Sequence, residues 1–411
     1  TMSDSIASRI ENALWGAFIG DALAMPVHWF YSTDHLREQF PGGIDQYYPA
    51  PHPHPDSFMV GSSYQPNVKK AKACNRDFDI LHDHARFYRT SYSDFHFKLD
   101  DREGEHGNET TSLEERIHYH HGLQAGDSTL GAGLLRMLMR SVISRGGYSQ
   151  DGFLEDFVSY MTTPRDNSDP YTEIYLRRWF ENYSLGIAPE NCAEQQRQVW
   201  SIDSVGGLIR PLALSLLNPD NQFIAMGMAI THQQLTHRSE MVSSGLGVLV
   251  PALLRLVNGS DPQEVFKDLL AQVPSPAISG DDLFKTYRDH DGPGNIPDDE
   301  AWRLHMSFLK EAADTKSTEY FATACYVEQA LPLMAKLGKD HDCGLISTLR
   351  ANAEIGGDSV HRGLVLGLLL AAGSSEIPEE WITGLKDHEE LKEEIRQFAA
   401  LAASGTGHLT K

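Results

Sequence analysis

The sequence predicts an all-α fold. Apolar residues recur at i, i+3 and i+4 through about a dozen segments, which is the mark of helices with one buried face. Runs of β-branched residues at alternate positions are almost absent. Ser, Asp and Gly punctuate the segment edges, where caps belong. Helices joined by short loops are the architecture these signals support.

The first helix is expected over 3–23, where Ile6, Ile10, Ala13, Leu14 and Ala17 form one stripe and Ser3 or Asp4 can cap it. Gly20-Asp21 lies near its end. The same period marks 129–145, opened by Gly126-Asp127-Ser128-Thr129, then 151–162 and 171–183. The helix at 208–217 follows Ser204-Val205-Gly206-Gly207. Helices are expected at 222–232 and 238–258, and His232 and His237 flank the short loop between them. Further segments are 262–271, 299–313, 319–337, 342–353, 359–372 and 386–403, with Gly356-Gly357-Asp358-Ser359 opening the helix at 359.

Three stretches lack this period. Residues 41–67 hold six of the 20 prolines, 75–128 are rich in His, Asp and Arg, and 279–297 end in D-G-P-G-N-I-P. Loops of that length inside a domain tend to be functional or disordered. With no internal repeat and no convincing linker, one helical domain over 1–411 is expected.

Across 411 residues, 35 Lys and Arg against 57 Asp and Glu leave a formal charge of −22. Such a surface repels phosphate backbones and anionic membranes, so neither nucleic acid nor membrane is expected as a partner. One basic cleft could still hold a phosphorylated small molecule. Cys74, Cys192, Cys325 and Cys343 show no CxxC spacing, which argues against a disulfide scaffold and fits a cytoplasmic location. The longest apolar stretch, Leu246 to Val257, is interrupted by Gly247, Pro251 and Arg255, so no membrane span is expected.

The chain has no Walker A loop, GxSxG elbow, HExxH pair or dinucleotide fingerprint. What it offers is the set of Gly-Asp junctions. Glycine there permits close backbone approach, helix N-termini attract anions, and Asp21, Asp127 and Asp358 are hard oxygen donors for Mg²⁺, Mn²⁺ or Ca²⁺. Asp127 and Asp358 also stand where caps belong, and capping is the plainer account of each alone. Gly206, Gly207 and Arg210 read either as a nest for phosphate or ribose or as a turn with a solvated arginine. The groups His118, His120, His121 and His82, His84 could bind metal or simply be hydrogen-bonded.

Taken in order, these blocks resemble the ADP-ribosylglycohydrolase family and its J-crystallin relatives. Gly16-Ala17-Phe18-Ile19-Gly20-Asp21-Ala22-Leu23-Ala24-Met25-Pro26-Val27-His28 is similar to that family's G-x-x-x-G-D-A-L-G-x-P-x-E. Residues 204–212 resemble its G-N-G-x-x-M-R-x-x-P block, Thr236-His237 its Thr-His junction, and Tyr326 to Met334 its A-L-P helix. Ile355 to Ala371 resemble its closing G-G-D-T-D-T-x-G-x-x-x-G block.

The resemblance implies a large orthogonal multi-helix bundle that hydrolyses an N- or O-glycosidic bond to ADP-ribose. It also implies divalent ions held by a T-D-D-T and a D-x-D-T block. The first corresponds to Gly126, Asp127, Ser128 and Thr129, the second to Asp358, Ser359, Val360 and His361. Four carboxylates thus become two, and His28 replaces a glutamate. Two adjacent cations need several anionic ligands, so one Mg²⁺ or Mn²⁺ on Asp127, Thr129, Asp358 and Asp21 is expected rather than two, or none. Imidazole from His361 or the 118–121 cluster would shift the choice toward Mn²⁺ or Zn²⁺.

On this reading Asp127 and Asp358 orient water, and His28, His121 and His361 are the acid–base candidates. Gly206, Gly207, Arg210, His237, Gly356 and Gly357 contact the substrate, which is a small molecule or an ADP-ribosylated group. The alternatives are a non-catalytic ADP-ribose-binding or structural protein on the same fold, and a glycosidic enzyme whose histidine-rich 75–121 segment lines a reshaped pocket. The last requires those histidines to meet Asp127 and Asp358 in space.

Overall fold

The computed structural model describes residues 2–57, 59, 62–88, 116–193, 202–273 and 323–405. The helix expected over 299–313, the start of that expected over 319–337, the loop at 279–297 and residues 89–115 lie outside them. Among the described residues all regular elements are helical, and an isolated antiparallel bridge joins Ser204 to Tyr326.

α1 spans Met2–Ala24 and runs into a 3₁₀ turn, Met25–Val27. Two short helices escape sequence periodicity: α2, Thr33–Gln39, capped by the Ser32 hydroxyl on His35 N–H (3.3 Å), and α3, Val68–Ala73, capped by Asn67. Short helices carry too few turns to show a stripe. α4, Leu130–Arg145, stops at Gly146, whose left-handed φ of 68° suits a residue without Cβ. α5, Gln150–Thr162, is capped by Ser149, and α6, Ile174–Ser184, follows. α7, Gly206–Ser215, α8, Gln222–Gln233, and α9, Glu240–Val257, form a mutually packed group. α10 is Pro262–Gln272, α11 Val327–Asp340 and α12 Leu345–Glu354. α13, Ser359–Ala372, the small α14, Glu379–Thr383, and α15, His388–Ser404, complete the order.

α9, which contains Pro251 and Arg255, is long and apolar enough to cross a membrane by length and composition alone. Leu246, Leu249, Val250, Leu253 and Leu256 on it are nevertheless buried in the core, where it packs on α7 and α8.

The centre of the molecule is α13, every residue of which is buried. Each leucine or valine there contributes about 1.5–3 kcal/mol of burial. α1 lies antiparallel against it at backbone distance. A Cβ on Gly16 would fall 2.0 Å from Gly367 O, and one on Gly20 only 1.9 Å from Gly363 O. Glycines at these crossings let the main chains touch. The antiparallel pairing sets the C-terminal end of α1 beside the N-terminal end of α13, and the site forms at that junction.

Candidate functional site

Two backbone bonds stitch the chain after α1 to the chain before α13. Trp29 N–H donates to Gly357 O (2.8 Å) and Gly357 N–H to Phe30 O (2.7 Å). Gly356 and Gly357 have left-handed φ of 66° and 60°, and a Cβ on Gly356 would sit 2.0 Å from Phe30 O. Those glycines, expected to contact substrate, therefore have a packing reason to be glycine. Trp29 is itself left-handed, with φ 63°. Buried Arg362 locks the same loop: its guanidinium donates to Asn352 Oδ1 (2.8 Å), Thr323 O (2.9 Å) and Gly356 O (2.5 Å).

Asp358 occupies the N-cap position of α13, yet its side chain caps nothing. Its Oδ1 instead lies 2.9 Å from His28 Nε2 and 2.7 Å from His361 Nδ1. Oδ2 is buried without any hydrogen-bond partner, and His361 Nδ1 is off the direction of a hydrogen bond. Plain capping is thereby ruled out for Asp358.

The contacts continue on both sides. His28 Nδ1 meets His120 Nε2 at 2.6 Å, and His120 Nδ1 meets Asp169 Oδ1 at 2.8 Å. Asp169 also accepts from Leu130 N–H (2.7 Å) at the start of α4 and from Tyr171 N–H (3.1 Å). On the other side, His361 Nε2 faces Glu173 Oε2 at 3.4 Å. The result is a buried string, Glu173–His361–Asp358–His28–His120–Asp169. Glu173, whose side chain is 14% exposed, is its outermost member; the side chains of the other five are at most 3% exposed.

Two further histidines hold the His28 loop. His54 Nε2–H donates to His28 O (2.9 Å) while its Nδ1 accepts from Asp56 N–H (3.1 Å). His118 Nε2–H donates to Pro26 O (2.8 Å) while its Nδ1 accepts from His120 N–H (2.9 Å). Both rings are neutral in these bonds, and burial pushes the pKa of His54 down to about 4 and that of His118 well down. Burial likewise lowers His28, against the pull of Asp358. For Asp358 burial opposes ionisation, but the charge of His361 beside it and the hydrogen bond with His28 outweigh it and hold the carboxyl below its usual range. Burial disfavours the charged form of His361 too, yet the two carboxylates around it raise it above its ordinary value.

The expected aspartates do not all converge. Asp21 accepts from Thr129 N–H (2.9 Å) and hydroxyl (2.5 Å), so Asp21 and Thr129 are bonded to each other. Burial raises the Asp21 carboxyl to about 6 despite those bonds. Asp127 accepts from Gln124 N–H (2.7 Å) and pairs with Lys386 at 3.5 Å. Asp21 is held by a tertiary partner and Asp127 by the turn that precedes it, so neither caps the following helix as the plainer reading of Asp127 expected. His28, Asp358 and His361 are the one group of three His, Cys, Asp or Glu among the described residues whose donor atoms lie within 4.8 Å of one another.

His121 is half-buried and faces His52 and Phe87, outside the string. His120, one residue earlier, takes the place expected of it. Among its described residues the histidine-rich segment thus meets Asp358 through His28 and does not meet Asp127. Asp169 and Glu173 escaped sequence reading: Asp169 lies in a loop without a motif, and Glu173, inside the helix expected over 171–183, is the N-cap residue of the observed one. The one available signal was their position just ahead of the 174–184 helix, next to a run of prolines and aspartates.

Gly206, Gly207, Arg210 and His237 do cluster. Gly206 lies against Glu173, where a Cβ would be 3.0 Å from Oε1, and a Cβ on Gly207 would be 2.9 Å from the His237 ring. Arg210 is buried and donates to Tyr175 Oη and Thr236 Oγ1, both at 3.2 Å, so it is not the solvated arginine of the plainer reading. A separate cleft of about 620 Å³, lined by Asp77, Asp151, Glu155 and Glu190 among others, contains none of these residues.

A family model described as ADP-ribosylglycohydrolase matches residues 2–408. Among solved structures, an "ADP-ribosylglycohydrolase-related protein complex" shares 14% identity, with a TM-score of 0.54, over 97% of this chain and 99% of its own. At that identity the likeness is one of fold. No curated protein matches the chain.

Proposed function

The chain belongs to the ADP-ribosylglycohydrolase family, and from that premise we propose that it hydrolyses a ribosyl glycosidic bond in an ADP-ribosylated substrate. The observation that carries this reading is Asp358. It stands where the family's second ligand block begins, declines to cap its helix, and is shared between two imidazoles, one backed by Glu173 and the other by His120.

A pair of magnesium ions does not fit these residues. Asp21 and Asp127 are committed to backbone and to Thr129 or Lys386, Val360 replaces an aspartate, and only Asp358 keeps a buried oxygen unpartnered. Magnesium demands oxygen ligands in octahedral order, whereas two of the three converging donors are imidazole nitrogens. The hydrolysis proposed for this chain uses no magnesium pair.

Departure of the leaving group leaves positive charge on the anomeric carbon, which a nearby carboxylate stabilises. Glu173 would serve there, since it is the member of the string that solvent reaches. It would also accept the proton of the attacking water and pass it to the leaving nitrogen or oxygen, so that the glycosidic bond breaks as the new C–O bond to water forms and the leaving group departs protonated. His361, behind it, would steady the carboxylate, and Gly206, having no side chain, leaves its face open.

The test is turnover of ADP-ribosyl-arginine, ADP-ribosyl-serine and simple nucleosides by the wild type and Glu173→Gln. We expect cleavage of an ADP-ribosylated compound, reduced about 10²–10⁴-fold in the variant with unfolding temperature unchanged. No turnover with or without Mg²⁺, Mn²⁺ and Zn²⁺, or full activity in the variant, overturns the proposal.

The full burial of His28 and Asp358 favours a second reading, a non-catalytic ADP-ribose-binding protein. Thermal stabilisation by ADP-ribose without any cleavage would mark it.

A further inference from the structure

The hydrogen-bond directions along the string can be counted from its inner end. Asp169 accepts from Leu130 N–H and Tyr171 N–H, so its oxygens are acceptors and His120 presents Nδ1–H to it. In the tautomer with its hydrogen on Nδ1, His120 has a lone pair on Nε2, which accepts from His28 Nδ1–H at 2.6 Å. That leaves His28 Nε2 with a lone pair aimed at a carboxylate oxygen 2.9 Å away. From the other end, His361 Nε2 faces Glu173 at 3.4 Å, which places Nδ1 beside the same oxygen at 2.7 Å. Asp358 Oδ2 adds an orphaned, buried acceptor. The donor atoms of three residues therefore converge, with Asp358 Oδ2 and His361 Nδ1 making no hydrogen bond, and a divalent cation can take the place of the proton that otherwise charges His361.

We propose that His28 Nε2, Asp358 and His361 Nδ1 bind one divalent cation of the imidazole-preferring class, with Zn²⁺ held more tightly than Mn²⁺ and Mn²⁺ more tightly than Mg²⁺. Two imidazoles and a carboxylate are a ligand set for such ions, and affinity at nitrogen-containing sites rises along the first transition row. The outer partners are those a metal site needs. Each ligating ring has its second nitrogen tied down, His361 by Glu173 and His28 by His120 backed by Asp169. Charge points the same way. Among the described residues Glu173, Asp358 and Asp169 pair with histidines and with no lysine or arginine, so a divalent ion offsets buried negative charge.

The ion stands apart from the substrate reading, because binding can be measured with no turnover. The full chain, stripped with EDTA and dialysed, is titrated with Zn²⁺, Mn²⁺ and Mg²⁺ by calorimetry and chelator competition. The Co²⁺ form is then examined by NMR for paramagnetically shifted imidazole N–H protons. We expect one equivalent of Zn²⁺ that is lost in Asp358→Asn. His120→Gln, which leaves the three ligands in place, should weaken binding about 10–100-fold. Two shifted N–H protons are expected, one of which disappears in His361→Gln, and Asp127→Asn should bind as the wild type does. Circular dichroism of each variant separates lost binding from lost fold, and His120→Gln carries the test if Asp358→Asn fails to fold. Zn²⁺ stoichiometry unchanged in folded Asp358→Asn and His361→Gln overturns the proposal. So does tighter Mg²⁺ than Zn²⁺ binding, a protonated site that takes no metal, or a loss in Asp127→Asn as large as in Asp358→Asn. A chain that binds Zn²⁺ in this way and cleaves nothing sinks the hydrolase reading alone.

Discussion

Gly20 and Gly363 touch through their backbones: a Cβ on Gly20 would stand 1.9 Å from Gly363 O and 2.5 Å from its carbonyl carbon. Main chain cannot swing aside as a side chain can. Gly20→Ala should therefore cost about 3 kcal/mol through overpacking, read as a lower urea midpoint at unchanged slope. Gly227→Ala, on an exposed face of α8 with nothing within 4 Å, should gain about 0.5–1 kcal/mol from helix propensity alone. Equal effects at the two positions would dismiss the crossing as the reason for glycine.

Asp169→Asn should lower kcat about 10–100-fold with KM little changed. The amide can still accept from Leu130 N–H, but it then offers N–H to His120 Nδ1 and turns that ring to the wrong tautomer. A purely structural Asp169 would instead move the unfolding temperature and leave the kcat of the folded fraction intact.

His54 gives the molecule an acid limit. Its pKa is near 6.5 when unfolded and about 4 when folded, because burial and its two bonds require the neutral ring. A folded value below the unfolded one stabilises fully above pH 6.5 and is lost as pH falls through about 4. The difference amounts to about 3 kcal/mol. Stability measured by urea from pH 7 to pH 4 should fall less steeply in His54→Gln than in the wild type. Parallel curves would remove His54 from the account.

Arg362→Met should destabilise by about 3–5 kcal/mol, since it strands Thr323 O, Gly356 O and the Asn352 amide in a fully buried site. Arg362→Lys should recover little, because one ammonium cannot reproduce the planar fork that reaches all three. Chemical denaturation of both variants tests this, and full recovery by lysine would contradict it.

Much of the helical framework was legible because burial imposes a period. The boundaries at 359–372 coincide with α13, and those of α4, α5 and α8 differ by a residue or so. α2, α3 and α14, with seven, six and five residues, were not seen, since one or two turns carry no stripe. Asp358, His361 and His28 could be named because they fall in ordered blocks on α13 and just after α1. His120 was passed over for His121: His118, Tyr119 and His120 are all buried, so no alternation marks which ring points inward. Asp21 and Asp127 look identical to Asp358 in sequence, each an aspartate after glycine, and only tertiary partners separate a cap from a converging donor. Asp169 and Glu173 carry no local signal, because their role is fixed by what packs beside them.

The contact between His28 and Asp358 joins residues 330 positions apart. During synthesis at about 5–20 residues per second, the first helix emerges roughly twenty seconds to a minute before its partner exists. Through that interval its glycine-lined apolar stripe has no companion, and the nascent protein depends on holdase chaperones or on a provisional resting place elsewhere on the chain. Slowed ribosomes should therefore lower soluble yield, and a circular permutant that brings both helices out in succession should restore it.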